Sequence, residues 1–101
     1  MTTYKKMLKD AVEGDGLQFV LDCLQEECAE LITAISHLRR KRMGFDGVIR
    51  EAADVQIMLD MARVGIDDEV GFHDFIEAKT KEIGDKIEFK RYNNGHYDRR
   101  S

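Results

Sequence analysis

Two acidic clusters break what would otherwise be continuous apolar helix stripes. From Leu17 onward, Leu17, Val20, Leu21, Leu24, Cys28, Leu31, Ile35 and Leu38 recur with helical period, and Glu26-Glu27-Cys28-Ala29-Glu30 cuts into that series. A second stripe, Val48, Ala52, Val55, Leu59 and Ala62, is cut by Glu51-Ala52-Ala53-Asp54. Carboxylates at the edge of a buried stripe need an opposite charge or good hydrogen bonds to be tolerated. Any fold for this chain must therefore supply a counter-charge at both places, and a divalent cation is one such partner.

The surrounding composition favours helices. The chain has no proline or tryptophan and 36% charged residues, with Ala, Leu, Glu, Lys, Arg and Met plentiful. No stretch alternates with strand period for long, so the expected fold is all-α, a four-helix-bundle-like arrangement. With 101 residues there is room for one domain and a modest core, and chains of this size often complete their burial on a second copy, which makes a homo-oligomer the expectation. The net charge of -4 does not suit a nucleic-acid polymer as partner. No apolar run is long enough for a bilayer and the N-terminus lacks a signal-peptide core, so the sequence reads as cytoplasmic with no membrane partner. Cys23 and Cys28 lie five apart on one expected helix, too far for an unstrained mutual disulfide, and read as reduced, small buried hydrophobes.

In chain order, Thr2 or Thr3 caps a first helix carrying Tyr4, Met7, Leu8, Ala11 and Val12 and stopping at Gly14. Asp15 with Gln18 resembles a capping box for the second and longest helix, which ends between Leu38 and Arg42. The basic run Arg39-Arg40-Lys41-Arg42 complements the dipole at its end, and Gly44 suits a left-handed C-terminal cap. Asp46 caps a third helix from about Gly47 to Val64, ended by Gly65; Ile57, Met58 and Met61 widen its apolar face, as on a helix covered from more than one side. Asp67 or Asp68 starts a fourth helix through Phe72, Phe75, Ile76, Ile83 and Ile87, weakened at Gly71 and Gly84. The expected domain spans residues 1–92, and 93–101 read as a polar tail.

The two acidic pairs match in angle. At about 100 degrees per residue, with Leu24 at zero, Leu31 falls at roughly 340, Glu27 at roughly 300 and Glu30 at roughly 240 degrees. With Val48 at zero, Val55, Glu51 and Asp54 fall at roughly the same three angles. Two antiparallel helices joined by a turn would bring four carboxylates to one flank of their seam, provided the second helix ends nearer Leu38 than Arg42. Four bare carboxylates repel and raise one another's pKa values; Mg²⁺, or Mn²⁺ in its place, relieves this because hard cations prefer oxygen ligands. Against this stands the reading of Glu27, Glu30, Glu51 and Asp54 as solvated helix residues, with Arg50 or Arg63 as salt-bridge partners.

The pattern Glu26-Glu27-Cys28-Ala29-Glu30 followed by Glu51-Ala52-Ala53-Asp54 resembles the MazG-like all-alpha nucleoside triphosphate pyrophosphohydrolases, over roughly residues 17–91. That resemblance implies a helical bundle that forms homodimers or homotetramers and splits a nucleoside triphosphate into monophosphate and pyrophosphate with Mg²⁺. It implies Glu27, Glu30, Glu51 and Asp54 as metal ligands, and Glu26 and Glu27 as residues acting on the attacking water, the general base being left open. It further implies phosphate contacts from the last helix, where Lys79, Lys86, Lys90 and Arg91 are the candidates; a solvated basic face is the competing reading. His37, about two turns beyond Glu30 on the same flank, is in reach of a substrate, but a lone helical histidine is more often structural or solvent-exposed, and it stays outside the expected site with His73 and His96; Phe19, on the acidic flank, is read as a nucleobase contact or, at least as well, as buried against another helix or subunit. Two other functions fit the chain: a phosphoribosyl-ATP pyrophosphohydrolase of histidine biosynthesis, which shares a similar Glu-Ala-Ala-Asp helix, and a non-catalytic helical module that binds a nucleotide or a protein.

Overall fold

The computed structural model describes residues 3–41 and 44–97, with side chains described as far as Asn93. Four helices make up the chain: α1 (Tyr4–Asp15), α2 (Leu17–Arg39), α3 (Phe45–Ile66) and α4 (Glu69–Tyr97), with no strand among the described residues. The fold is all-α, and no helix is long and apolar enough to cross a membrane among the described residues.

Residues 1–67 form one compact unit. Within it α2 packs on α3, and α1 lies against both. Thr3 caps α1, its hydroxyl accepting from the Lys6 backbone N–H at 3.1 Å. In the same turn the hydroxyl of Tyr4 donates to Asp60 Oδ2 of α3 at 2.6 Å, so the start of α1 is tied down as well as capped. The buried apolar residues are Leu8, Val20, Ala34 and Ala62, one or two from each helix of this unit. Two of these are alanines, which lets the helices approach closely.

The corner between α1 and α2 is a single residue. Gly16, at φ 88 and ψ 154, donates its N–H to Val12 O at 2.8 Å to close α1, while its carbonyl accepts from Val20 N–H at 3.2 Å to open α2. This backbone region is essentially restricted to glycine. The expected Asp15–Gln18 capping box does not form, because Asp15 is still helical as the last residue of α1; Gln18 donates instead to Asp22 at 3.0 Å. The corner also explains Gly65. A Cβ there would stand 2.7 Å from Leu17 Cδ1 and 3.2 Å from Val12 Cγ1, so α3 passes close beneath the corner and continues through Gly65 instead of ending on it. The left-handed residue that ends α3 is Asp67 (φ 58), whose N–H reaches Arg63 O at 2.9 Å.

The α2–α3 turn also departs from expectation. Lys41 takes the left-handed conformation (φ 61) and donates to Leu38 O at 3.0 Å, relieving Gly44 of that task. Gly44 is extended and precedes α3, which starts at Phe45, two residues before the expected Gly47. Asp46 lies inside the first turn, where its charge meets the positive end of the helix dipole, and is not the cap. Arg42 lies outside the described residues.

Residues 68–101 form a second unit containing α4. Asp68 opens it, its Oδ1 accepting from Gly71 N–H at 3.0 Å; a Cβ on Gly71 would collide with that carboxylate, so this glycine serves the cap. Helix α4 runs through Gly84 without a break and includes residues 93–97, expected to belong to a polar tail; 98–101 lie outside the described residues. Asn93 supports the extension, its amide donating to Phe89 O at 2.9 Å.

Candidate metal and phosphate site

The angular match of the two acidic pairs becomes contact. On α2 and α3, Glu27, Glu51 and Asp54 each place a carboxylate oxygen so that the three lie within 4.8 Å of one another. Glu30 joins them by pairing with Glu51, as Glu27 pairs with Asp54. As the position rises along α2 its partner's falls along α3, which is the signature of an antiparallel pair. The axial levels agree because α2 ends at Arg39, while the early start of α3 adds about 3 Å of helix between the turn and Glu51.

The electrostatics are those of carboxylates without a counter-ion. Glu27 is held above the usual carboxylate range first by burial, then by the charges of Glu30, Asp54 and Glu51. Glu51 is raised by burial and by its hydrogen bond with Glu30, and the nearby Arg50 charge offsets only part of this. Carboxylates this close repel one another, and a proton or a cation between them relieves that repulsion. Glu51 Oε2 is shielded from solvent and has no hydrogen-bond partner among the described residues. An orphaned, buried oxygen within an all-oxygen donor set suits a hard divalent cation.

Glu26 stands apart from this cluster. It is exposed, contributes no oxygen to the triangle, and its charge bears on the Cys23 thiol, which burial first and then the Glu26 charge push upward. Both cysteines are free, and Cys28 is exposed where a buried position was expected. Arg63 lies 3.8 Å from Asp60. Phe19 is 53% exposed. The basic candidates Lys79, Lys86, Lys90 and Arg91 are exposed residues of α4, and within that helix Lys79 and Lys86 converge on Glu82 at 3.1 and 3.6 Å.

A feature not expected from the sequence adjoins the cluster. An open cleft of about 220 Å³ runs from Glu30 and Glu51 along the α2–α3 seam toward the turn, lined also by Thr33, Ala34, His37, Gly47 and Arg50. Ala34 and Gly47, one turn beyond Glu30 and Glu51 in the direction of the turn, are the smallest residues of its lining. Continuing the antiparallel pairing one turn beyond the acids is the signal that would have found it. No protein-family model matches this sequence, and neither the curated proteins nor the solved structures include one that matches it.

Proposed function

We propose that this protein is a Mg²⁺-dependent nucleoside triphosphate pyrophosphohydrolase, releasing a nucleoside monophosphate and pyrophosphate. The observation that carries the reading is the convergence of Glu27, Glu51 and Asp54 within 4.8 Å around an unpartnered Glu51 oxygen. The order of acids along the chain, which resembles that of MazG-like enzymes, supports it independently of the geometry.

Glu27, Glu51 and Asp54, with Glu30 beside them, would hold the cation. A bound Mg²⁺ supplies neutralisation of triphosphate charge and polarisation of a phosphoryl group. The carboxylates fix where the anionic chain lies, and one of them accepts the proton of the attacking water. The water oxygen bonds to a phosphorus beside the α–β bridge, and the bond from that phosphorus to the bridging oxygen breaks. The bridging oxygen stays with the departing phosphate group, and the proton on the carboxylate is returned to solvent.

Assembly into a homodimer or homotetramer belongs to the same proposal. It is supported by the small core and by Phe19, Ile32, Phe45 and Ile49, which are 53 to 71% exposed on α2 and α3. A monomer by light scattering would remove this part.

The deciding experiment incubates the protein with Mg²⁺ and a panel of nucleoside triphosphates and phosphoribosyl-ATP, resolving monophosphate plus pyrophosphate from diphosphate plus phosphate. Turnover of phosphoribosyl-ATP alone would move the assignment to histidine biosynthesis. Release of single phosphate would defeat the bond specificity. Glu27→Gln and Asp54→Asn should each abolish turnover with helicity intact, and activity retained in both would remove the site assignment.

A further inference from the structure

The geometry points to the α2–α3 cleft as the seat of the pyrophosphate half of the substrate, gripped by Arg50 with His37 and Thr33 beside it. This inference rests on the hydrolytic reading above and deepens it by giving the triphosphate a direction.

Four observations carry it. Glu30 and Glu51 belong both to the carboxylate cluster and to the cleft wall, so a group in the cleft is contiguous with the cluster. Arg50 lines the cleft and its charge reaches Glu51, yet it forms no ion pair among the described residues, which leaves its guanidinium open to a bidentate phosphate contact. His37 and Thr33 add hydrogen-bonding groups on the α2 side; the Thr33 hydroxyl donates to Ala29 O at 3.1 Å and keeps its lone pairs free for a donor such as a bridging water. Finally, five of the seven residues lining the cleft, Glu30, Thr33, His37, Arg50 and Glu51, carry polar or charged side chains. A compact, polar, multiply charged group fits this lining.

The acids of the cleft wall set a condition. A diphosphate beside Glu30 and Glu51 is repelled until a cation sits between them, so pyrophosphate should bind only together with Mg²⁺. Arg50 then supplies affinity for pyrophosphate and little for the nucleoside monophosphate.

The test is calorimetric titration of the full chain with inorganic pyrophosphate and, separately, with nucleoside monophosphates, each with and without Mg²⁺, for the parent protein, Arg50→Met and Arg50→Lys. The expected result is Mg²⁺-dependent pyrophosphate binding that weakens at least about tenfold in Arg50→Met and is partly restored in Arg50→Lys, with monophosphate affinity changed less than about twofold. Circular dichroism of each variant checks that the helices persist. Unchanged pyrophosphate affinity in Arg50→Met, a loss confined to the monophosphate, or no pyrophosphate binding at all would overturn the inference. If Arg50 governs pyrophosphate binding but no triphosphate is hydrolysed, the catalytic reading fails and the diphosphate site stands. If triphosphate is hydrolysed while pyrophosphate affinity is indifferent to Arg50, the catalytic reading stands and the diphosphate site is removed.

Discussion

Adding Mg²⁺ to the metal-free protein is the most direct perturbation of the carboxylate cluster, and its size follows from the geometry. In an octahedral shell with oxygens at about 2.1 Å, neighbouring ligands stand about 3.0 Å apart and opposite ones about 4.2 Å. The oxygens of Glu27, Glu51 and Asp54 already lie within 4.8 Å of one another. Each pair must close by at most about 1.8 Å, a displacement that small side-chain torsions provide without moving the helices. A ligand bound only by the folded state, at about a hundredfold excess over its dissociation constant, stabilises that state by about 2.7 kcal/mol. For a domain of this length that raises the melting temperature by about 11 to 22 degrees. The assay is thermal unfolding by circular dichroism in EDTA, in millimolar Mg²⁺, and in NaCl of matched ionic strength, because salt alone screens the repulsion. Asp54→Asn should reduce the Mg²⁺ shift to the NaCl level. A Mg²⁺ shift no larger than that from NaCl, or one retained in Asp54→Asn, would refute a chelating cluster.

Two further outcomes are expected. Glu27 and Glu51 are both held above the ordinary carboxylate value of 4.5, so the folded protein binds more protons than the unfolded chain between that value and the raised native ones. Without divalent cations, stability to urea should be lowest above the raised native values and should increase as pH falls through them toward 4.5, a slope that Mg²⁺ or Glu51→Gln flattens. Stability that instead drops on acidification across that window in EDTA would contradict the assignment. At the α1–α2 corner, Gly16→Ala should cost on the order of 1–3 kcal/mol in urea denaturation because alanine is strained at φ 88 and ψ 154. Gly14→Ala, inside α1 with nothing within 4 Å of its would-be Cβ, should by contrast stabilise by up to about 1 kcal/mol.

Helical periodicity alone carries the number and order of the helices, because each stripe is long and nothing in the chain favours strands. The four carboxylates are legible for a related reason: angle on a helix depends only on spacing, and Glu27 and Glu51 hold the same offset from their stripes. The caps are less legible, since several residues compete for each corner. Asp15 has the right chemistry but lies one position too early, and Lys41 adopts a conformation that composition assigns to Gly44. The cleft is hidden for a different reason. It depends on how α2 and α3 are set against each other along the seam, which the spacing within either helix does not give. The placement of Arg50 and His37 on its walls follows from the same pairing.

The antiparallel pairing of Glu27 with Asp54 and Glu30 with Glu51 makes the site sensitive to the length of its own helices and indifferent to much of the connector between them. Residues around Lys41 and Gly44 can vary in kind, or even in number, as long as α2 and α3 still meet in the same register. A single residue inserted between Glu30 and Leu38 would swing both acids of α2 by about 100 degrees relative to the stripe that follows and carry them off the seam. Natural variation in this protein should accordingly accumulate in the connector, while the spacing from the acids to the helix ends stays fixed.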